Sequence, residues 1–469
     1  MALDPGIFKA YDIRGLYGSQ IDGDLAEQIG RAFARVLSKL AGKPTAELRV
    51  ALGHDMRLTA PELHARYSAG LVAEGARVLD AGEVATEVVY YLIGSRDLDG
   101  GLICTASHNP KAYTGAKLIR EGAMALSGDT GINDVRTLIE SGLPEPPGGG
   151  TVEAVDWGEG FRAAARAFVD TTAIGGLKVV LDGGNGMAGP TVGPILEALP
   201  LELIPTYWIP DGNFPGHEPN PLLPENRELV IAAVRDSGAD LGIAFDGDTD
   251  RIGAVDDQGT VLYGDQLMII YGREILTRKP GSTFIGEVKC SQLMYDDLAA
   301  RGGNPIMWKT GHSLIKAKMQ ETRAELAGEM SGHMFFADRY YGFDDAIYAA
   351  CRLMEIVANS GQPLSAQLAD LPKTVTTPEI RFDCPDDLKF AVVTQATAEL
   401  RARHKILDVD GVRVLFPKGW GLVRASNTQP VLVMRFEAET EDLLREYRRE
   451  VEEVVAGAVA ANRNAEPVS

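Results

Sequence analysis

The chain has 469 residues, 45% of them apolar; at about 150 residues per domain this is material for roughly three domains, which excludes a disulfide-stapled miniprotein or a disordered chain. Asp and Glu total 66 against 46 Lys and Arg, a net charge of −20. That argues against nucleic acid or an anionic membrane as a partner held by bulk charge, so any anionic ligand needs a local basic cleft.

The first fifteen residues, MALDPGIFKAYDIRG, lack the basic-then-apolar order of a signal peptide. No uncharged apolar run reaches the roughly 18 residues of a membrane span. Cys104, Cys290, Cys351 and Cys384 form no C-x-x-C pair, which speaks against a zinc ribbon or a disulfide framework and makes a reducing cytoplasm the simpler setting.

Short Val/Ile/Leu runs alternate with helical periodicity, the pattern of layered α/β domains. Asp24 precedes an apolar stripe, Leu25, Ile29, Phe33, Val36, Leu37 and Leu40, that stops near Gly42. Thr59 and Glu62 have the spacing of a capping box ahead of Leu63, Tyr67 and Leu71. Three strand-like runs resemble one another: LRVALGHDMR from 48, LKVVLDGGNG from 177 and STFIGEVKCS from 282. Each is followed by a second run with a polar tip, GGLICTASHNP from 100, ADLGIAFDGDTDR from 239 and AELAGEMSGH from 324. Repeats roughly a hundred residues or more apart are too long for a solenoid and suit three related domains.

Proline and glycine in SGLPEPPGGG (141–150) predict the first boundary, Asp256-Asp257-Gln258-Gly259 a second, and LADLPKTVTTPEIRFDCP a third near 370. The predicted units are 1–150, 151–257, 258–370 and 371–469. The last is a smaller α+β domain, ending in a helix with Leu443, Leu444, Tyr447, Val451, Val454 and Val455 on one face.

Four short segments can do chemistry. Thr105-Ala106-Ser107-His108-Asn109-Pro110 follows the strand GGLIC, and ligands of open α/β sheets bind at the carboxyl ends of strands. Asn109 before Pro110 is restricted to extended geometry, which holds the serine on a tight turn. Taken alone, the segment reads more readily as an ordinary Ser/Asn turn, and with no G-x-S-x-G around Ser107 a hydrolase elbow is unsupported. Asp246, Asp248 and Asp250 alternate in one loop after LGIAF, so three carboxylates can converge on a hard cation, Mg²⁺ being favoured beside phosphate. An EF-hand needs glycine and glutamate where this loop has Arg251 and Asp257, and an aspartyl phosphatase would want threonine where Asp250 stands. In GEMSGH, Glu329 and Ser331 can offer an acceptor and a hydroxyl to neighbouring sugar hydroxyls. In RASNTQP, Arg424, Ser426, Asn427 and Thr428 can surround a phosphate.

Taken together and in order, FKAYDIRG, TASHNP, DGDTDR, GEMSGH and RASNTQP resemble the α-D-phosphohexomutase superfamily, and among it the bacterial phosphomannomutase/phosphoglucomutase branch. The resemblance runs the length of the chain. It implies three related α/β domains with mixed sheets and a C-terminal α+β domain resembling the TATA-binding-protein-like fold, arranged around a central cleft. It implies a phosphoserine at Ser107, with His108, Lys117 and Arg251 as further catalytic residues and Lys117 as general acid/base. Mg²⁺ would be held by Ser107, Asp246, Asp248 and Asp250. Tyr11, Arg14, Lys289, His312, Glu329, Ser331 and His333 would bind the sugar phosphate, and Arg424, Ser426, Asn427 and Thr428 its non-reacting phosphate. Hexose phosphates are the implied substrates, with hexose 1,6-bisphosphate as intermediate and activator.

The loops GEMSGH and RASNTQP favour this branch over phosphoglucosamine mutase, whose loops resemble GEQSGH and RPSGTEP. Thr114 and Gln429 stand where the family often has asparagine and glutamate. A metal-dependent sugar phosphatase or a non-catalytic sugar-phosphate-binding protein would each account for only part of this set.

Overall fold

A computed structural model describes residues 3–167, 169–172, 174–426 and 429–464. Three of its sheets share one strand order. A central strand (Arg49–His54, Lys178–Asp182 or Thr283–Glu287) is flanked on one side by a parallel strand (Arg77–Glu83, Glu202–Thr206 or Asn304–Trp308). On the other side lies the polar-tipped strand, Gly100–Cys104, Leu241–Phe245 or Leu326–Gly328, also parallel. An antiparallel strand follows each of these: Tyr113–Arg120, Ile252–Asp256 and Met334–Phe336. The same four-strand frame thus occurs three times, and it aligns the carboxyl ends of the polar-tipped strands with those of their central neighbours.

Just past two of the predicted boundaries a short strand still pairs with the preceding sheet. Thr151–Ala154 pairs in parallel with Arg77–Glu83 at the edge of the first sheet, so the Pro/Gly-rich stretch before it is a surface loop and not the linker. Its backbone is tied down by hydrogen bonds from Gly148 N to Ala73 O (2.8 Å) and from Gly150 N to Val72 O (3.2 Å). Val261–Leu262 pairs with Ile252–Asp256, so Asp256–Gly259 is a hairpin turn inside the second sheet. Composition marks a chain reversal; it does not say whether the next strand joins the old sheet or a new one.

The first long helix is Gly23–Ala41, and its N-cap is Asp22, whose carboxylate accepts from Leu25 N at 2.8 Å. The capping box expected at Thr59 does not form. Thr59 itself has near-helical torsions (φ −87°, ψ −13°) and its hydroxyl is buried without a hydrogen bond. Glu62 instead accepts from Tyr17 OH at 2.5 Å.

A continuous apolar cluster, including Val88, Phe161, Ile195, Tyr271, Tyr348 and Phe343, joins the first three sheets. The fourth sheet is antiparallel, in the order Val375–Thr376, Val431–Ala438, Gly419–Ala425, Val412–Phe416, Lys405–Leu407, with Ile380–Asp383 also on Val431–Ala438. The helices Lys389–Arg403 and Glu441–Asn464 cover it around a separate core. One of its bonds to the third domain is made by Arg413, fully buried, which donates to Val288 O (2.7 Å) and Cys290 O (2.8 Å) with its guanidinium 3.7 Å from the centre of the Trp420 ring. No described helix is long and apolar enough to cross a membrane.

Candidate active site

The tips of Gly100–Cys104 and Leu241–Phe245 meet. Ser107 Oγ donates to Asp246 Oδ2 at 2.6 Å, and His108 Nδ1 lies 3.1 Å from the same oxygen of the serine. This approach requires Gly247: a Cβ there would stand 2.7 Å from Ser107 O. Ser107 is itself in the left-handed region, φ +50°, where non-glycine residues are uncommon. Burial and the guanidiniums of Arg251 and Arg14 hold His108 well below the usual imidazole range, so it is neutral at pH 7.

Asp246, Asp248 and Asp250 are fully buried or nearly so, and one oxygen from each lies within 4.8 Å of the others. Oδ1 of Asp248 and Oδ1 of Asp250 are buried with no hydrogen-bond partner. Unpartnered carboxylate oxygens in one pocket are the donor set of a hard cation, so these residues fit a metal. Burial and repulsion from Asp250 and Asp248 push the Asp246 carboxyl well up, whereas Lys117 and His333 overcome burial and hold Asp250 well down.

Lys117 sits opposite Ile103 in the antiparallel strand and ion-pairs with Asp248 (2.5 Å) and Asp250. Burial opposes its charge, but the three carboxylates outweigh burial and raise its pKa, so it is an ammonium at neutral pH. Thr114 lies in the same strand, opposite Gly15, and leaves Lys117 directed into the acidic loop.

The remaining expected residues extend from this centre. Arg14 donates to Asp12 (2.7 Å) and to Asn109 Oδ1 (2.7 Å). Arg251 Nε donates to His333 Nε2 (2.8 Å), and His333 also faces Asp250 (3.4 Å) and Glu329 (3.5 Å). Glu329 accepts from Gly311 N (2.7 Å) and Ser331 Oγ (3.1 Å). His312 lies edge-on to Tyr11; burial, outweighing the attraction of Asp344, takes it down to about 4. Tyr11 OH donates to Thr310 O at 2.8 Å. Lys289 pairs with Glu379 (3.4 Å) and Glu287 (3.7 Å). Arg424 Nε donates to Asp410 (2.9 Å), and Ser426 Oγ accepts from Gln429 N (3.2 Å). Asn427 and Thr428 lie outside the described residues.

Several residues that the sequence reading did not single out hold this set together. Thr86 Oγ1 donates to Asp248 Oδ2 (2.7 Å) and Thr249 Oγ1 to Glu87 Oε2 (3.1 Å), tying the acidic loop to the first domain. Asp410 accepts from both Arg424 and Thr310 N (3.1 Å), joining the fourth domain to the third. Arg57 donates to four backbone carbonyls of the serine loop. The available signal was position: Asp55 and Arg57 follow a parallel strand at its carboxyl end. Thr86 and Asp410 have no comparable sequence mark.

Family models for phosphoglucomutase/phosphomannomutase match in chain order: α/β/α domain I over 5–143, domain II over 160–259, domain III over 263–375 and the C-terminal domain over 379–454. A phosphomannomutase/phosphoglucomutase of Pseudomonas aeruginosa is 42% identical over 450 residues, covering 95% of this chain and 94% of that one. A phosphoglucomutase of Neisseria gonorrhoeae is 39% identical over 453 residues, 96% of each. The crystal structure of a phosphoglucomutase/phosphomannomutase family protein from Burkholderia thailandensis superposes with a TM-score of 0.89 at 39% identity, covering 97% of this chain and 98% of that one. Fold and relatives define an enzyme of the phosphohexomutase class. The three-fold repeated frame is that of the three α/β/α domains, and the antiparallel fourth unit falls on the C-terminal domain. The chain belongs to the phosphoglucomutase/phosphomannomutase family.

Proposed function

We propose that this enzyme interconverts the 1- and 6-phosphates of glucose or mannose through a phosphoserine at Ser107 and a hexose 1,6-bisphosphate. The observation that carries the reading is the 2.6 Å hydrogen bond from Ser107 Oγ to Asp246, which puts a phosphorylatable hydroxyl beside a carboxylate triad suited to a cation. The Oγ–P bond of phospho-Ser107 breaks while a bond forms from phosphorus to the free sugar hydroxyl, which gives up its proton; Ser107 Oγ takes one in return. The bisphosphate turns end for end, and its other phosphoryl group returns to Ser107. Free bisphosphate re-phosphorylates an enzyme that has lost its phosphate, and so acts as activator.

Ser107, Asp246, Asp248 and Asp250 would hold Mg²⁺, which when bound supplies positive charge to the oxygens of the transferring group. Arg251 adds a guanidinium next to Asp246, and Lys117, an ammonium beside Asp248 and Asp250, is the general acid/base that gives a proton to Ser107 Oγ and takes the one released by the sugar hydroxyl. His108, neutral, has Nδ1 3.1 Å from Ser107 Oγ and, with the hydroxyl proton given to Asp246, can donate to that oxygen. Glu329 and Ser331 read the vicinal O3 and O4 hydroxyls, which land in nearly equivalent places after the turn. Tyr11, Arg14, Lys289, His312 and His333 line the rest of the substrate's place, and Arg424, Ser426, Asn427 and Thr428 clamp the non-reacting phosphate. We also infer a cytoplasmic setting, with which Cys104, Cys290, Cys351 and Cys384, all buried and unpaired, accord.

The test is the phosphoenzyme. After incubation with glucose 1,6-bisphosphate the wild type should carry acid-stable phosphate on Ser107. Ser107→Ala should take up none and lose nearly all turnover, while binding hexose phosphate within about tenfold of wild type. Phosphate cleaved by hydroxylamine would mean an acyl phosphate on aspartate and would sink the serine mechanism.

A further inference from the structure

We propose that Arg57 is the positioning residue of the phosphoryl-transfer step: it holds the backbone of Ser107 in its left-handed conformation and thereby aims the serine oxygen. The inference rests on the reading of Ser107 as the phosphate carrier. Arg57 follows the strand Arg49–His54, which is the parallel neighbour of Gly100–Cys104, so both tips leave the same edge of the sheet. The ladder continues past the strand ends through Asp55 N, which donates to Cys104 O at 3.0 Å.

From there the guanidinium reaches under the serine loop. Nη2 donates to Ser107 O (2.7 Å) and Asn109 O (2.6 Å), and Nη1 to Pro110 O (3.1 Å) and Tyr113 O (3.1 Å). Asp55 balances the charge, with Oδ2 3.3 Å from Arg57 Nε and Oδ1 accepting from Arg57 N at 3.0 Å. The Phe214 ring lies 5.4 Å from the guanidinium carbon. Arg57 is only 2% exposed. Its two terminal nitrogens are committed to carbonyls of one turn, so its work is on the loop and not on a ligand.

Such an arrangement is needed because four carbonyl oxygens converge there. Their negative dipole ends repel one another unless a cation lies between them. A non-glycine residue at positive φ persists only where its surroundings over-determine it. Here Thr105 Oγ1 holds the Ser107 amide (2.8 Å) and Arg57 holds its carbonyl. A lysine would keep the charge but has no planar fork to meet four acceptors at once. A misplacement near 1 Å at a reacting group can cost on the order of a hundredfold in rate. Sugar and distal-phosphate contacts belong to other residues, so the loss should fall on kcat.

The experiment compares wild type with Arg57→Lys. Glucose 1,6-bisphosphate is used to phosphorylate each, with uptake of acid-stable phosphate at Ser107 followed in time. Turnover of glucose 1-phosphate is measured well below the unfolding temperature. The expected result is uptake and kcat both lower by about 10- to 100-fold, with KM within about threefold of wild type. A purely architectural role would lower Tm or the active fraction and leave the uptake rate per folded molecule unchanged, and that outcome overturns the proposal. Equal uptake and kcat in the two proteins overturns it as well. Absence of phosphate on Ser107 in the wild type itself overturns the phosphoserine reading, and this inference with it. If Arg57→Lys does not fold, Asp55→Asn serves: it spares the fork but frees Nε, and should lower kcat by about three- to tenfold at unchanged KM. An unaltered kcat in that variant refutes the positioning role.

Discussion

Replacing Asp410 by alanine tests how the phosphate clamp is organised. The Asp410 carboxylate accepts from Arg424 Nε at 2.9 Å and from Thr310 N at 3.1 Å, so one side chain both orients the guanidinium and pins the fourth domain to the third. A hydrogen bond to a charged group is worth about 1.5 to 3 kcal/mol. The Asp410 side chain is 16% exposed, and solvent screening reduces the figure to about 1 to 2 kcal/mol. Since Arg424 is assigned to a phosphate that does not react, this energy serves ground and transition states alike and belongs in KM. Asp410→Ala should therefore raise KM for glucose 1-phosphate about 5- to 30-fold with kcat within about threefold. The assay is steady-state kinetics of four proteins: wild type, Asp410→Ala, Arg424→Ala and the double variant. If Asp410 acts through Arg424, the double variant is hardly worse than Arg424→Ala alone. An unchanged KM in Asp410→Ala, or fully additive losses, would refute the reasoning.

Glu329→Ala should lower kcat/KM for glucose 1-phosphate and mannose 1-phosphate in parallel, by about 10- to 150-fold, because hydrogen bonds to an ionised carboxylate are lost at hydroxyls the two sugars share. A hundredfold loss for one sugar only would show Glu329 reading C2. A strong chelator should abolish turnover and added Mg²⁺ restore it; full activity in chelator would remove the metal from the mechanism. Asp338 is fully buried, and although burial opposes its charge, Arg278, Arg352 and Lys279 hold it down to about 2 against an ordinary 3.8. A depressed carboxylate contributes stability that is present above its unfolded value and lost as the pH falls through the folded one. Acid titration of unfolding should thus lose this contribution between about pH 4 and pH 2, and Asp338→Asn should be less stable at pH 7 and flatter in that window. Equal slopes in the two proteins would contradict the assignment.

The strands and their polar tips were legible because each is local: an apolar run sets the strand, and the residues that follow it must emerge at the sheet edge where ligands bind. Asp246, Asp248 and Asp250 share one loop, so their convergence is written in their spacing. The contacts of Arg57, Thr86 and Asp410 were not legible, although Arg57's place after a strand was, since their partners lie 50 to 52, 162 and 100 positions away for Ser107 and Asn109, Asp248 and Thr310. Nothing in RLTAPE or DVDGVR announces those contacts. The capping box failed for a related reason: Thr59 and Glu62 have the right spacing, but Tyr17, from a distant turn, takes the Glu62 carboxylate. At 141–150 and 256–259 a turn and a linker have the same composition, so the short strands just beyond them, Thr151–Ala154 and Val261–Leu262, could not be given to the preceding sheet from sequence.

The hydrogen bond between Ser107 and Asp246 spans 139 positions of chain, and this bears on how the protein is made. At about 5 to 20 residues per second, the serine loop leaves the ribosome on the order of ten seconds before its acidic partner. During that time the first sheet can close, since Arg57, Thr105 and the four carbonyls are already present, but the loop has no carboxylate triad against it. A chain ending before the second domain has the serine loop without the carboxylates that its hydroxyl meets in the full protein. Docking of the acidic loop onto Thr86 and Glu87 is what brings the serine and the carboxylates together.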